Sequence, residues 1–393
     1  MNGLAYLTWR YLRRRPWPSA LLAACLSIAL LLPTVTHLLT SGFESALRER
    51  SAATPLVFGA AGPPLDLTLA GLYFSRPDLD TVPTGTWREL AAREDLLCVP
   101  LNLRASARSR PIVATVPEYF EERGLFAAEG HLPHVVGQAV LGASVAKDLE
   151  LGVGDRLYSD PHDLIDMSKP SSLEMAVCGV LAPTGSADDR AVFTTLETAW
   201  VLEGLAHGHD EVDPETVDPD QVLGMSDEEV RLQPTFLSYR SLDGDALATF
   251  HLHDDPDELP LSCVLLFPRT SKAGTLVKAE TNIERRYGAS QVADTGAELD
   301  ELLDLVLGLR RLLDAVAVLL FVATAALGAL VIGLSMQLRA NELRTLDRLG
   351  SSARTVTILK LQQVGAIAAV AAVAALAVLG LVWVLDPDLT LLL

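Results

Sequence analysis

No Asp, Glu, Lys or Arg occurs from Pro16 to Thr40, from Ala315 to Leu338 or from Leu361 to Leu385. Each run exceeds the roughly 20 residues that carry a helix across a bilayer. Three transmembrane helices are therefore expected, at 16–40, 315–338 and 361–385. Cysteine is scarce as well: the 393 residues hold four, with no C-x-x-C pair, which excludes a disulfide framework and a paired-thiolate metal or redox centre. There is no G-x-x-x-x-G-K-[ST] loop to cradle a nucleotide phosphate, no G-x-S-x-G elbow and no H-E-x-x-H helix. "ELGVGDRL" lacks the third glycine of a dinucleotide fingerprint and reads as a turn. These absences point away from an enzyme and from a cofactor held by this chain.

What is present is divided by position. The chain is 50% hydrophobic and has a mean hydropathy of +0.30, yet its formal net charge is -19. Apolar and acidic residues must therefore lie in different parts of it, one for lipid and one for water. Arg10, Arg13, Arg14 and Arg15 precede the first span. Arg339, Arg344, Arg348, Arg354 and Lys360 lie between the second and third. The positive-inside rule places both groups in the cytoplasm. Residues 1–15 and 339–360 are then inside, and 41–314 and the tail 386–393 are outside. The external part is strongly acidic, which repels phosphate and excludes nucleic acid as a partner. "LAAC", ending at Cys25, resembles a lipoprotein cleavage site, but "LSIALLLPTV" continues the apolar run beyond it. An uncleaved anchor with a core-facing Cys25 is expected.

Outside the membrane, Phe43 and Leu47 stand four residues apart and continue the first helix as an amphipathic stalk. "AELDELLDLVLGLRRLLD", residues 297–314, supplies a second stalk helix running into the second span. Between them, in 41–296, "PLVFGA", "LTLAGLYF", "LLCVPLNLRA", "PIVATVPEYF", "LEMAVCGVLAP", "AVFTTL" and "LSCVLLFP" read as strand candidates separated by turn signals. "TWRELAARE", "ASVAKDLE", "LETAWVLEGLA" and "SKAGTLVKAETNIERRYG" read as helices. The fold expected is an α-helical membrane protein with a large extracytoplasmic α+β domain of one or two lobes on a helical stalk. Residues 207–258 carry fifteen acidic side chains against Arg231 and Arg240 and form an acidic insertion, with its centre the least ordered part of the chain.

Two histidine pairs fall in this insertion: His207 and His209 in "HGHD", and His251 and His253 in "HLHDD". Alternate residues of a strand share a face, so each pair can present two imidazoles to a zinc or copper ion. Solvated loop histidines are the alternative. His131, His134 and His162 fit turns. A periplasmic metal-binding sensor, or a metal-handling receptor with no ATPase, is the functional alternative that these pairs raise.

The segment "LRANELRTLDRLGSSAR" puts Leu338, Leu343, Leu346 and Leu349 on one side of a helix. Gly350 is placed to end that helix and Ser351 or Ser352 to cap the next. A basic, amphipathic joint of fixed shape suits docking on another protein, whereas arginines serving only topology or anionic lipid need no leucine spacing.

This joint resembles that of the MacB/FtsX-like ABC permeases, through Glu342, Leu343, Leu346, Leu349, Gly350, Ser351, Ser352 and Arg354. "AVLGASVAKDLELGVGDRLY" and "MAVCGVLAPTGSADDRAVFTTLETAW" are similar to the family's periplasmic core domain. There Gly142, Ala146, Leu149, Gly152, Gly154, Asp155, Gly179, Val180, Pro183, Thr184, Gly185 and Asp189 match its turn and strand motifs. Gln363 and Arg344 depart from the pattern, and family members carry four spans where this sequence contains three. The resemblance implies a bacterial inner-membrane permease subunit that binds no ATP itself. It implies pairing with a separate ABC ATPase, with a second permease as homodimer or heterodimer, and with a periplasmic adaptor or lipoprotein. Arg339, Glu342, Arg344, Arg348 and Arg354 would contact the ATPase, while Leu343, Leu346 and Leu349 seat the joint and Gly350 sets its bend.

Overall fold

The computed structural model describes residues 10, 13, 16–75, 80–160, 172–207, 222–225, 230–232, 240–241, 251–252, 255–338 and 353–385. Two compact units emerge: one from residues 1–47 and 301–393, the other from Arg48 to Asp300.

Three long helices dominate the first unit. Helix α1 runs from Pro16 to Ala53, and crosses into the second unit at Arg48. Pro33 lies within it and deprives one carbonyl of its amide donor. The carbonyl so deprived is that of Ala29; the hydroxyls of Thr34 and Thr36 donate one turn back, to Leu30 O at 2.8 Å and Leu32 O at 2.9 Å, and so satisfy their own polar groups within the helix. A second helix spans Thr295–Leu338 and a third Ala353–Leu385. Among the described residues, two helices are long and apolar enough to cross a membrane, Ala23–Ala53 and Thr295–Leu330, and Val364–Gly380 is a shorter apolar stretch.

Among the described residues, one mixed sheet of 11 strands runs through the second unit. In spatial order the strands are Arg240–Ser241, Leu173–Leu181, Gln138–Leu141, Val192–Thr195, Arg110–Thr115, Leu96–Ala107, Cys263–Pro268, Leu56–Ala60 and Ser290–Asp294. Ala127–Gly130 and Arg156–Tyr158 also pair with Leu173–Leu181. Successive residues of a strand alternate between two hydrophobic cores, one on each face. Val264 and Leu266 enter one core, and Cys263, Leu265 and Phe267 enter the other. Burial on both faces explains why "LSCVLLFP" is a continuous apolar run without polar alternation. The helices Thr84–Ala91, Ala143–Leu149, Leu196–Leu202 and Ser271–Asn282 cover the first face; Pro64–Tyr73 and Pro117–Arg123 cover the second.

Two strand readings need correction. "LTLAGLYF" lies in the helix Pro64–Tyr73, with Leu67, Ala70 and Gly71 buried at helical spacing and Phe74 closing it at φ 57°. Pro63 and Pro64 fix its start, since proline fits the first turn of a helix at no hydrogen-bond cost. "PIVATVPEYF" divides at Pro117: a strand ends at Thr115 and the helix Pro117–Arg123 begins.

Phe193 is fully buried against Phe74, Tyr119 and Phe120, with ring centres 5.5–5.9 Å apart. Phe193→Ala is expected to remove about 3–5 kcal/mol of stability, read by denaturant unfolding. A surface change such as Lys272→Ala should move the midpoint little.

Candidate functional site

In the last turn of α1, an arginine enters the protein interior. Leu47 and Arg50, three residues apart, share the inward side of the helix and are 3% and 9% exposed, whereas Phe43 is 41% exposed. The Arg50 guanidinium meets the carboxylate of Asp188 in a bidentate pair: Nη2 donates to Oδ1 at 3.0 Å and Nη1 to Oδ2. Its Nε donates to Leu72 O at 3.1 Å, and the guanidinium carbon lies 5.9 Å from the centre of the Phe74 ring. Asp188 receives two further donors, Tyr119 Oη at 2.5 Å and Ser186 Oγ at 2.7 Å. Burial raises the proton affinity of its carboxyl, but the charge of Arg50 and the donated hydrogen bonds outweigh burial and hold its pKa below the usual aspartate value. Burial, reinforced by the nearby Asp188 charge, pushes the Tyr119 hydroxyl upward, so it remains a donor.

The loop before Asp188 is built to present it. Asp189 accepts from Thr184 N, Thr184 Oγ1 and Gly185 N at 2.7–3.1 Å, which folds "PTGS" into a turn and leads into the short 3₁₀ helix Ala187–Arg190. Gly142 explains how that helix can lie so close to the neighbouring strand end. A Cβ at position 142 would stand 2.4 Å from Asp188 O and 2.5 Å from Asp189 O, so only glycine permits the approach.

The root of the second long helix is tied to the same place. Thr295 is fully buried, and its hydroxyl lies 2.6 Å from Thr54 O and 3.2 Å from both Ser51 O and Pro55 O; its amide donates to Pro55 O at 3.2 Å. Arg123 donates to Thr54 Oγ1 and stacks 5.8 Å from the centre of the Tyr119 ring. The end of α1, the start of Thr295–Leu338 and the sheet are thereby fastened at one point. Nothing in this arrangement resembles a nucleophile with a base. It can hold the end of a helix in register against the sheet.

Of the residues singled out in the sequence, Arg339, Glu342, Leu343, Arg344, Leu346, Leu349, Arg348 and Gly350 lie outside the described residues. Arg354 is the second residue of the helix Ala353–Leu385. His209, His253 and the centre of the acidic insertion also lie outside them. His207 and His251 stand directly opposite one another in a two-stranded antiparallel ladder. Among the described residues, no group of three or more His, Cys, Asp or Glu is placed to hold a metal. Cys98, Cys178 and Cys263 are buried free thiols, and burial pushes their pKa values up to about 12, 11 and 12. They are unreactive packing residues. Arg50, Tyr119, Ser186 and Asp188 escaped the sequence reading. The only local hint was the three-residue step from Leu47 to Arg50 on the stalk's apolar side.

No protein-family model matches the chain, and no curated protein does. Among solved structures, it is similar to the periplasmic region of MacB from Actinobacillus actinomycetemcomitans. That match has 8% identity, covers 65% of this chain and 97% of that one, and has a TM-score of 0.38. It is also similar to the extracellular domain of the noncanonic ABC-type transporter YknZ from Gram-positive bacteria, with 10% identity, coverage of 61% and 98%, and a TM-score of 0.34.

Asp188→Asn leaves Arg50 buried without its counter-charge and is expected to lower stability by about 3–5 kcal/mol at neutral pH. The native carboxyl has the lower pKa in the folded state, so its contribution is complete above the unfolded value near 4. It fades as pH falls through the folded value. Urea unfolding across pH 2–7 should therefore show the native and Asp188→Asn proteins converging below about pH 4.

Proposed function

We propose that this chain is the permease subunit of a MacB/FtsX-like ABC complex in a bacterial inner membrane, with its N-terminus in the cytoplasm and its large domain in the periplasm. A separate ATPase docks on the joint 339–360, and its closure is transmitted through the helices to the periplasmic domain for export, extraction or signalling. The observation that carries this reading is the fastening of both helix roots to the sheet through Thr295 and the Arg50–Asp188 pair. A hinge there would absorb displacement, whereas a bidentate buried ion pair passes it on. The charge-free runs at 16–40, 315–338 and 361–385 offer no hydrophilic path for cargo through the spans, which favours mechanical work outside the membrane over a channel within it.

A second permease copy fits one side of the helix Thr295–Leu338. Leu305, Leu309, Leu312 and Val316 follow one another at steps of four, three and four, and the three leucines are 76%, 60% and 61% exposed. That spacing is the seam of a two-helix coiled coil. Most of it precedes the expected start of the span at 315, where water would otherwise cover it. The metal-binding alternative draws its support from the facing positions of His207 and His251.

Two measurements follow. The tagged protein, purified in detergent from its native cells, is expected to bring down a P-loop ATPase that is lost from a folded Arg344→Glu, Arg348→Glu variant. Absence of any ATPase from the native protein, even after crosslinking, would exclude the ABC reading. Leu309→Cys should form a disulfide-linked dimer in membranes under mild oxidation, while Ser271→Cys, off the seam, should not.

A further inference from the structure

Independently of the transport reading, we propose that Tyr73, Arg123 and Arg190 form a binding site for a phosphate group at the surface of the second unit, beside the buried Arg50–Asp188 pair. Three elements bring them together. Tyr73 ends the helix Pro64–Tyr73, and Arg50 brackets it, donating to Leu72 O at 3.1 Å and lying 5.9 Å from the centre of the Phe74 ring. Arg123 ends the helix Pro117–Arg123 one turn after Tyr119 and stacks 5.8 Å from the centre of its ring, while Arg50 Nη2 donates to Tyr119 Oη at 3.5 Å. Arg190 ends the 3₁₀ helix Ala187–Arg190, against which the helix Pro64–Tyr73 packs. Residues three apart in a 3₁₀ helix are eclipsed. Arg190 therefore follows the side of Ala187, which is buried in the core cluster that Tyr73 packs against. The charges of Arg50, Arg190 and Arg123 accordingly all act on the Tyr73 hydroxyl.

The three guanidinium groups are unequally satisfied. Arg50 holds both oxygens of Asp188, and the Asp189 carboxylate is taken up by Thr184 and Gly185. Among the described residues, Arg123 forms no salt bridge: it donates to Thr54 Oγ1, and its Nε is buried without an acceptor. Burial and the repulsion of Arg50 lower its pKa, against the attraction of Asp188 and the exposed Glu122. The Arg190 side chain is exposed. Neither it nor the Tyr73 hydroxyl has a hydrogen-bond partner among the described residues. In a chain of formal net charge -19, such a gathering of unpaired cationic donors is a local exception to the field of the whole protein.

A buried donor without an acceptor calls for a partner, and a guanidinium presents five N–H donors in a fork that matches phosphate oxygens two at a time. A carboxylate is filled by one such fork, as at Asp188. Donors that converge from three elements need the further oxygens of a phosphate group. Bound there, it would join Arg123 to Arg190 and brace the 3₁₀ helix against the helix Pro117–Arg123.

The test is calorimetric titration of inorganic phosphate into the full chain in detergent at low ionic strength, where charge is least screened. One site per chain is expected. Arg190→Gln should weaken binding at least about ten-fold, the loss of one charged hydrogen-bonding partner. Arg190→Lys, which keeps the charge, should weaken it less, and Lys272→Gln, on another helix, not at all. Thermal unfolding without phosphate should be the same for Arg190→Gln and the native protein, which separates loss of binding from loss of fold. Absence of saturable binding at millimolar phosphate, or equal affinity in the native protein and Arg190→Gln, would overturn the proposal. Native mass spectrometry of the protein released from nanodiscs containing phosphatidic acid then identifies the source of the phosphate. A lipid adduct on the native protein that is reduced in Arg190→Gln assigns the site to a lipid headgroup; equal adducts on both, with phosphate binding still lost from Arg190→Gln, assign it to a soluble phosphate.

Discussion

Arg50 and Asp188 form a bidentate ion pair inside the protein, 138 positions apart in sequence, and the seat of residues 48–53 within the second unit depends on it. Taking two charges out of water is costly, and a pair of apolar side chains of the same volume could match its stability. The pair adds register. An apolar contact tolerates sliding and rotation of a helix, whereas a guanidinium held by both carboxylate oxygens, by Leu72 O and beneath Phe74 has one position. Tyr119 and Ser186 complete the carboxylate's donors, and Asp189 and Gly142 hold the loop that delivers it. The network is therefore a fixed joint made from polar groups, surrounded by the larger aromatic core of Phe193, Tyr119 and Phe120.

The division into long apolar helices and a separate α+β unit was legible in the sequence because it follows from composition: the charge-free runs and the acidic remainder fall in different segments. Most sheet strands were also legible. A strand buried on both faces reads as a short apolar block bounded by turn residues, as in "PLVFGA" and "LSCVLLFP". The same feature caused the error at "LTLAGLYF". Eight nearly continuous apolar residues carry neither the period of a strand nor that of a helix, and only Pro63 and Pro64 marked the helix start. The ion pair was illegible for a different reason. Arg50 looks like any stalk arginine, and Asp188 adjoins an aspartate with a stronger motif, Asp189, whose role is local. Their meeting is a product of tertiary structure. The glycines at 142 and 179 were marked by the family resemblance, but their reason is the backbone approach seen only in three dimensions.

The functional account joins two kinds of support. The proposed cytoplasmic joint rests on the leucine spacing, glycine and family resemblance of its sequence; the proposed periplasmic end rests on geometry. The proposed spans 16–40, 315–338 and 361–385 contain no Asp, Glu, Lys or Arg. In the proposed reading the chain works as a lever, and the buried Arg50–Asp188 pair ties the end of α1 to the sheet. In the same reading the exposed leucine seam receives a second copy of the chain.

The central claim is that the end of α1, residues 48–53, and the sheet move as one body because of Arg50 and Asp188. Amide hydrogen exchange of the native protein and of Asp188→Asn tests this most directly. If the claim holds, Asp188→Asn loses protection at both 48–53 and 184–193, by the same factor, while Leu96–Ala107 and Cys263–Pro268 at the sheet centre retain theirs. Loss confined to 184–193, with 48–53 as protected as in the native protein, would show that the helix is held by other contacts and would contradict it.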